Sequence, residues 1–135
     1  MKQFFSILVV SILMASLLTA ATPVPNTTFM LVQGLPATMN VGETYTVIVQ
    51  VNSDQQFISA QALPSFQYPG KGVVAVRGGS RVGSGTSATL AVTFQAKSPT
   101  ARMEGGAAPV HVVVGVRYAG GYVAVQDYLF QVTVP

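Results

Sequence analysis

The stretch from residue 40 to residue 55, NVGETYTVIVQVNSDQ, carries the clearest structural signal in this chain. Its apolar positions alternate with polar ones and share one side of an extended chain: Tyr45, Val47, Val49 and Val51. The opposite side is polar except at one position: Thr44, Thr46, Ile48, Gln50 and Asn52. A repeat of two residues predicts a β-strand with one buried face. The Asn-Ser-Asp run at 52–54 predicts a turn that ends the strand.

Two later segments repeat this alternation. The apolar side of the first is formed by Ala88, Leu90, Val92, Phe94 and Ala96. The apolar side of the second is formed by Val110, Val112, Val114, Val116 and Tyr118. Gly120-Gly121 predicts a tight hairpin into a last strand, because glycine supplies the positive φ angles that such turns need. Within that last strand the apolar residues change phase near Gln126-Asp127, which predicts a β-bulge.

Weaker signals complete an all-β pattern. Short strands are predicted at 28–33, at 56–63, where Pro64 ends the run, and at 73–77. The glycine-rich stretch 78–85 is predicted to be a flexible loop, and 97–109 a long surface connection. About seven short strands without a helical period predict an antiparallel two-sheet sandwich.

The N-terminus has a different composition. Residues 4–18 are apolar apart from three serines, and small residues follow at 18–22, so we predict a secretory signal peptide cleaved after Ala20 or Ala21. The alternative is a retained anchor helix, since the run approaches the length that spans a bilayer. The predicted organisation is a signal helix at 1–21, a proline-rich lead-in and first strand at 22–33, and the sandwich at 34–135. A secreted or cell-surface location follows.

A local motif adds a family resemblance. The sequence from Val41 to Val47, VGETYTV, preceded by Leu35-Pro36, resembles the early strand of prokaryotic surface immunoglobulin-like modules of the adhesion-related, cohesin-like and fibronectin-type groups. The closing segment 110–135 is similar to their final strand pair. The resemblance implies an immunoglobulin-like fold, a surface location and a binding or structural role. It transfers no site residue to this chain.

Composition narrows the classes of function. Charged residues make up 8% of the chain, and its net charge is +3, too low for a nucleic-acid-binding surface. The chain has neither cysteine nor tryptophan, so it lacks the hallmarks of a vertebrate immunoglobulin domain. Without disulfides, an exported domain of this size depends on its hydrophobic core.

The titratable residues form no recognisable catalytic or metal-binding set. His111 is the only histidine, and it is expected on the sheet side opposite the core valines. The acidic residues are dispersed along the chain, at Glu43, Asp54, Glu104 and Asp127. The 78–85 loop enters a strand rather than a helix, so it does not match a phosphate-binding loop. We therefore expect no enzyme, no cofactor and no bound metal.

Three functional hypotheses remain. The first is a non-enzymatic exported surface or envelope module that acts by protein–protein contact. The second is a filament subunit that donates its N-terminal strand to an identical subunit; the candidate donor residues are Thr27, Thr28, Phe29, Met30, Leu31 and Val32. The third is a carbohydrate-binding adhesive module that contacts a surface glycan; its candidate ligand edge is formed by Phe66, Tyr68, Arg77 and Arg81. Asn26 begins an Asn-Thr-Thr glycosylation sequon. No membrane span is expected in the mature chain unless the signal helix is retained.

Overall fold

The computed structural model describes residues 23–65 and 72–135. The predicted signal helix and the aromatic residues Phe66 and Tyr68 lie outside these ranges. The described residues form eight β-strands: β1 (Thr27–Gln33), β2 (Thr44–Phe57), β3 (Ser59–Ser65), β4 (Val73–Ala75), β5 (Ser80–Val82), β6 (Gly85–Ala96), β7 (Ala108–Arg117) and β8 (Val123–Val132). Short 3-10 turns lie at Glu104–Gly106 and Ala119–Gly121. Within the described ranges, no helix is long and apolar enough to cross a membrane.

The strands form two four-stranded antiparallel sheets. Sheet I has the order β1-β2-β6-β4, and sheet II has the order β5-β3-β7-β8. If β1, β2, β3, β4, β6, β7 and β8 are matched to immunoglobulin strands A, B, C, D, E, F and G, sheet I has the order ABED and sheet II contains CFG. The predicted all-β immunoglobulin-like sandwich is confirmed. The chain differs from an immunoglobulin domain in one respect: β4, which joins sheet I, precedes β5, which joins sheet II.

The segment after β1 links the two sheets. Thr38 pairs in parallel with Thr133. The Met39 amide donates to the Thr133 carbonyl at 3.0 Å, and the Thr133 amide donates to the Ala37 carbonyl at 2.9 Å. The N-terminal region therefore pairs with sheet I through β1 and with sheet II through 37–39, which covers the end of β8.

The core lies between the sheets, and valine dominates it. The three predicted apolar sides face inward as expected: Val47, Val49 and Val51 of β2, Leu90 and Val92 of β6, and Val112, Val114 and Val116 of β7 are all buried. Phe57 and Met39 are the largest fully buried side chains. Branched side chains fill the roughly 10 Å gap between packed sheets without need of a tryptophan.

The turn predicted at Asn52-Ser53-Asp54 is wrong, because β2 continues to Phe57. The Asp54 amide donates to the Asn26 carbonyl at 3.3 Å. Asp54 Oδ1 accepts a bond from the Asn26 amide at 2.8 Å. Pairing with the N-terminal segment thus keeps this polar stretch extended. The change of direction occurs at Ile58, the single residue between β2 and β3.

Pro64 does not end β3, which continues to Ser65 and pairs Pro64 with Val112 of β7. Hydrogen-bonded pairs alternate along an antiparallel ladder, and here the nitrogen of Pro64 faces away from β7. β5 pairs only with Ala60, Gln61 and Ala62. The missing N–H of proline is therefore on an open edge, where it is tolerated.

The β-bulge predicted in β8 is also wrong. β7 and β8 pair in one continuous register from Ala108 opposite Val132 to Arg117 opposite Val123. Tyr128 and Phe130 consequently face the core, whereas Val125 and Asp127 share the outer side. The hairpin at Ala119–Gly121, where Gly120 and Gly121 have φ values of 87° and 90°, sets this register at its start.

The turn before β2 explains the VGET motif. Gly42 has a φ of 93°, and the Glu43 amide donates to the Asn40 carbonyl at 3.0 Å. The Tyr45 hydroxyl donates to Glu43 Oε2 at 3.0 Å, and the Asn40 amide donates to Oε1 at 3.2 Å. These hydrogen bonds lower the pKa of Glu43, and the bond to the carboxylate raises the pKa of Tyr45.

Candidate functional site

The outward side of sheet II carries an apolar surface. Strand alternation places these apolar side chains together on it: Leu63, Val113, Val123, Val125 and Leu129. We call these five residues the apolar face. The exposed fractions of Val123, Val125 and Leu129 are 51%, 58% and 60%. A cluster of apolar side chains that stays in solvent on one side of a sheet is a candidate binding site.

Three neighbouring strands position the apolar face. On β7, Val113 lies opposite Leu63 of β3. Gly115, the next outward residue of β7, lies opposite Val125 of β8. A Cβ atom added to Gly115 would meet nothing within 4 Å, so the centre of the surface is open. A partner can therefore approach the backbone of β7 between the flanking apolar side chains.

Charged side chains border the apolar face. Arg81 lies opposite Gln61, and Arg117 opposite Val123. Asp127 lies within the apolar face, between Val125 and Leu129 on β8 and opposite Val113 of β7. Its Oδ2 lies 3.9 Å from His111 Nε2, a distance at which the two groups attract when the imidazole is protonated. Apolar side chains with a charged rim are typical of protein–protein contact surfaces.

The structure brings His111 close to a serine that sequence reasoning did not single out. Ser65 of β3 lies opposite His111 of β7. His111 Nδ1 is buried and has no hydrogen-bond partner among the described residues. A serine triad requires hydrogen bonds from serine to histidine and from histidine to a carboxylate, with the serine activated as the nucleophile. Ser65, His111 and Asp127 are neighbours here without forming that relay.

The candidate donor strand lies in β1 and pairs with β2 of the same chain. Tyr118 of sheet II anchors its start, since the Tyr118 hydroxyl lies 2.5 Å from Thr27 Oγ1 and donates to Ser53 Oγ at 2.7 Å. Phe29 packs against the core. By contrast, Met30 and Val32 are exposed, at 58% and 55%.

The candidate ligand edge is only partly described. Arg77 and Arg81 are exposed, and Arg81 belongs to β5. The stretch 78–85 is thus not wholly loop, because Ser80 Oγ accepts a hydrogen bond from the Ala91 amide at 2.9 Å and β5 pairs with β3. Asn26 is exposed, and its backbone is hydrogen-bonded to Asp54. Glycan binding at this edge stays a prediction.

A cleft of ≈ 700 Å³ lies beside the connection between β6 and β7. Gly72, Arg102, Met103 and Glu104 contribute to its wall. In the described part of the chain, no group of three or more His, Cys, Asp or Glu side chains could hold a metal ion.

Comparisons with known proteins give similarity in shape only. The native conformation of E. coli alpha-2-macroglobulin matches 85% of this chain at 15% identity and a TM-score of 0.45; this chain spans 7% of that protein. Murine CRIg matches 84% of this chain and 99% of its own, at 9% identity and a TM-score of 0.35. A scan against protein-family models and a search of curated proteins find no match. The fold assignment therefore rests on the strand order of the two sheets.

Sequence reasoning missed the apolar face because of one misread signal. The phase change between Val125 and Tyr128 predicts a bulge that would turn both sets of side chains toward the core. In a continuous strand, the same pattern means apolar residues on both sides. An odd number of positions separates Tyr128 from Val123, Val125 and Leu129. In a continuous strand this spacing places the three residues on the side opposite Tyr128, so it could have identified them as outward apolar residues.

Proposed function

We propose that this chain is a non-enzymatic exported β-sandwich module that acts at the cell surface or envelope by contact with protein, and that the apolar face is its contact surface. The observation that supports the proposal is the clustering of five apolar side chains on the outward side of one sheet. The apolar N-terminal segment 4–18 supports export.

The apolar face differs from an ordinary solvent-exposed sheet surface. Sheets with one face in water usually place polar residues outside, as sheet I does at most of its outward positions, with Met30 and Ile48 as apolar exceptions. Isolated apolar residues on a surface need no explanation, but a cluster of them does. Association with a partner would remove Val123, Val125 and Leu129 from water, which is favourable by about 25 cal/mol for each Å² of apolar surface buried.

A pair of charge-insertion variants tests this function. The variant Val125→Lys with Leu129→Lys places two charges on the apolar face. The control variant, Ser87→Lys with Ala91→Lys, adds the same charges at the same spacing on the exposed outer side of β6. Neither variant touches the core, so both should keep the unfolding temperature of the unaltered chain within a few degrees.

The full chain would be produced in its native host and located by fractionation into cytosol, envelope and medium, with chemical crosslinking before lysis. We expect the unaltered chain and the control in the envelope fraction with crosslinked adducts. The Val125→Lys, Leu129→Lys variant should lose its adducts and pass into the medium. A cytosolic location, or adducts that persist in this variant, would refute the proposal.

Filament assembly by strand donation is a second candidate, favoured by the position of β1. This strand is at the edge of sheet I, where it pairs only with β2, and its Met30 and Val32 side chains remain exposed. Since the chain has no cysteine, a disulfide between Thr27→Cys and Ser53→Cys, which face each other in the β1–β2 ladder, would lock β1 in its own subunit. Strand donation predicts that polymers form only after the disulfide is reduced; equal polymerisation of both forms would exclude it.

A further inference from the structure

The outer edge of β8 presents unpaired backbone groups. The Tyr118 amide donates to the Tyr122 carbonyl at 2.9 Å, which sets the alternation of the β7–β8 ladder. Even-numbered residues of β8 then bond to β7, and odd-numbered residues point their N–H and C=O groups away from it. Thr133 follows this rule, because its outward groups pair with Ala37 and Met39.

Before that contact, five residues of β8 point their backbone N–H and C=O groups away from β7: Val123, Val125, Asp127, Leu129 and Gln131. Across residues 23–65 and 72–135, no strand pairs with this part of the edge. The strand contains no proline, no lysine and no bulge, and Asp127 is its one charged residue, so it has few of the features that prevent edge-to-edge association. The edge is therefore able to accept another strand.

The other edges of the sandwich are less suited to pairing. β1 has a register shift between Leu31 and Gln33, and Pro36 follows it. β4 and β5, the remaining edge strands, are three residues long each. A long regular edge occurs only at β8 within the described chain, so this edge is where the fold allows extended strand addition.

We propose that a second copy of this chain pairs antiparallel with the outer edge of β8, about a two-fold axis at Gln126, so that two copies of sheet II form one continuous sheet. The inference rests on the proposed function, because pairing of the two β8 edges places the apolar faces of two copies side by side as one contact surface. An isologous pairing of one strand with itself is the simplest closed arrangement for identical chains.

Charge selects the register of this pairing. Residues whose backbone groups point outward must face each other, and registers centred on Gln126, Asp127 or Tyr128 pair four or more of them. Centring on Tyr128 would bring Val123 of the second copy opposite Thr133, whose outward groups already pair with Ala37 and Met39. Centring on Asp127 would place two carboxylates directly opposite each other, which destabilises a sheet. Centring on Gln126 places Val123 opposite Leu129 of the second copy and Val125 opposite Asp127 of the second copy. Each hydrogen-bonded pair exchanges two bonds, so these four pairs supply about eight.

The apolar face also becomes continuous in this arrangement. Val123 and Leu129 of one copy meet Leu129 and Val123 of the other on the outer side of the joined sheet. Few charged residues oppose the association, since 8% of the chain is charged. The contact area is small, so we expect a dimer that dissociates on dilution rather than a permanent one.

Two measurements test the dimer on the full chain, purified from the fraction where it accumulates. The first is sedimentation velocity over a wide range of protein concentrations. The unaltered chain should change from monomer to dimer as concentration rises. Val125→Pro removes an outward N–H without affecting the β7–β8 ladder, so this variant should remain monomeric while its circular dichroism is unchanged.

The second measurement is disulfide formation between copies, which a chain without native cysteine allows. Gln126→Cys lies on the proposed axis and should form a linked dimer at least ten times faster than Asp127→Cys and than Ser87→Cys on sheet I. The cysteine variants contain no added proline, so they test the dimer even if Val125→Pro fails to fold.

A monomer at every concentration, or equal crosslinking rates at positions 126 and 87, would overturn the dimer. Faster crosslinking at 127 than at 126 would overturn the proposed register. Failure of the dimer can be distinguished from failure of the proposed function. If the dimer is overturned but the Val125→Lys, Leu129→Lys variant still loses its envelope retention, the apolar face binds a different protein partner.

Discussion

The outer sides of the two sheets contrast in how they meet solvent. On sheet I, outward side chains hydrogen-bond to each other across strands: Thr46 Oγ1 lies 2.9 Å from Thr93 Oγ1, and Thr89 Oγ1 donates to Gln50 Oε1 at 2.5 Å. On sheet II, the corresponding positions hold the apolar face. Both sheets contribute equally regular inner sides to one core.

This contrast shows that packing in the core constrains only the residues of each strand that face inward. A sandwich needs apolar residues at alternate positions, and it leaves the outward positions free for other roles. On sheet I most of these positions carry polar residues, and two pairs of them hydrogen-bond across strands, although Met30 and Ile48 are apolar. On sheet II they carry residues that only a partner would shield from water, and we place the function there for that reason.

The largest expected effect comes from replacing an inner valine with alanine and comparing it with the same replacement of an outer valine on the same strand. Val112→Ala leaves a cavity in the core and should lower the free energy of unfolding by about 2 to 3 kcal/mol. Val113→Ala, one residue away on the apolar face, should change it by less than about 0.5 kcal/mol. Urea unfolding followed by circular dichroism measures both, and equal losses would mean that the two sides of β7 are not distinguished by burial.

A smaller effect is expected where the two sheets are tied together. Tyr118→Phe removes the hydroxyl that contacts Thr27 and Ser53 of sheet I, which should lower the free energy of unfolding by about 1 kcal/mol. Amide hydrogen exchange should accelerate in β1 more than in β8. Tyr122→Phe is the control; if it destabilises as much as Tyr118→Phe, the tie to β1 is not responsible.

The polar contacts on sheet I should each contribute only slightly. Thr46→Val removes one partner of the Thr46–Thr93 pair and should lower the free energy of unfolding by about 0.5 kcal/mol. Adding Thr93→Val should restore part of that loss, because no hydroxyl is then left without its partner. The double variant should also be retained longer on a hydrophobic column, since its sheet I surface becomes more like the apolar face; strictly additive losses would indicate no interaction.

The smallest effect concerns the turn before β2. Hydrogen bonds from Tyr45 and Asn40 lower the pKa of Glu43 below its ordinary value of 4.5. A lowered pKa in the folded chain stabilises it above pH 4.5, and this contribution is lost as pH falls through the folded value. Thermal unfolding of Glu43→Gln should therefore differ from the unaltered chain at pH 7 and converge with it in acid. A difference that stays constant with pH would mean that the carboxylate charge is not involved.

Local sequence patterns were sufficient for the regular middle of the sandwich. The inward sides of β2, β6 and β7 were predicted residue by residue, because alternation depends only on the geometry of an extended chain. The hairpin at Gly120-Gly121 was predicted for a similar reason, since positive φ is a property of single residues. Ser65 beside His111 could not be predicted, because the pairing of β3 with β7 joins positions far apart in the chain.

The sequence by itself determined the all-β class, the inward sides of β2, β6 and β7 and the glycine hairpin after β7, since each depends on residues within a few positions of one another. Only the tertiary structure decided that β2 continues past Asn52, that β4 and β5 join different sheets, and that β8 keeps one register. The first two depend on hydrogen bonds between distant segments, such as Asp54 with Asn26. The third depends on the ladder that pairs β8 with β7, which turns Val123, Val125 and Leu129 outward and so creates the surface on which the proposed function rests.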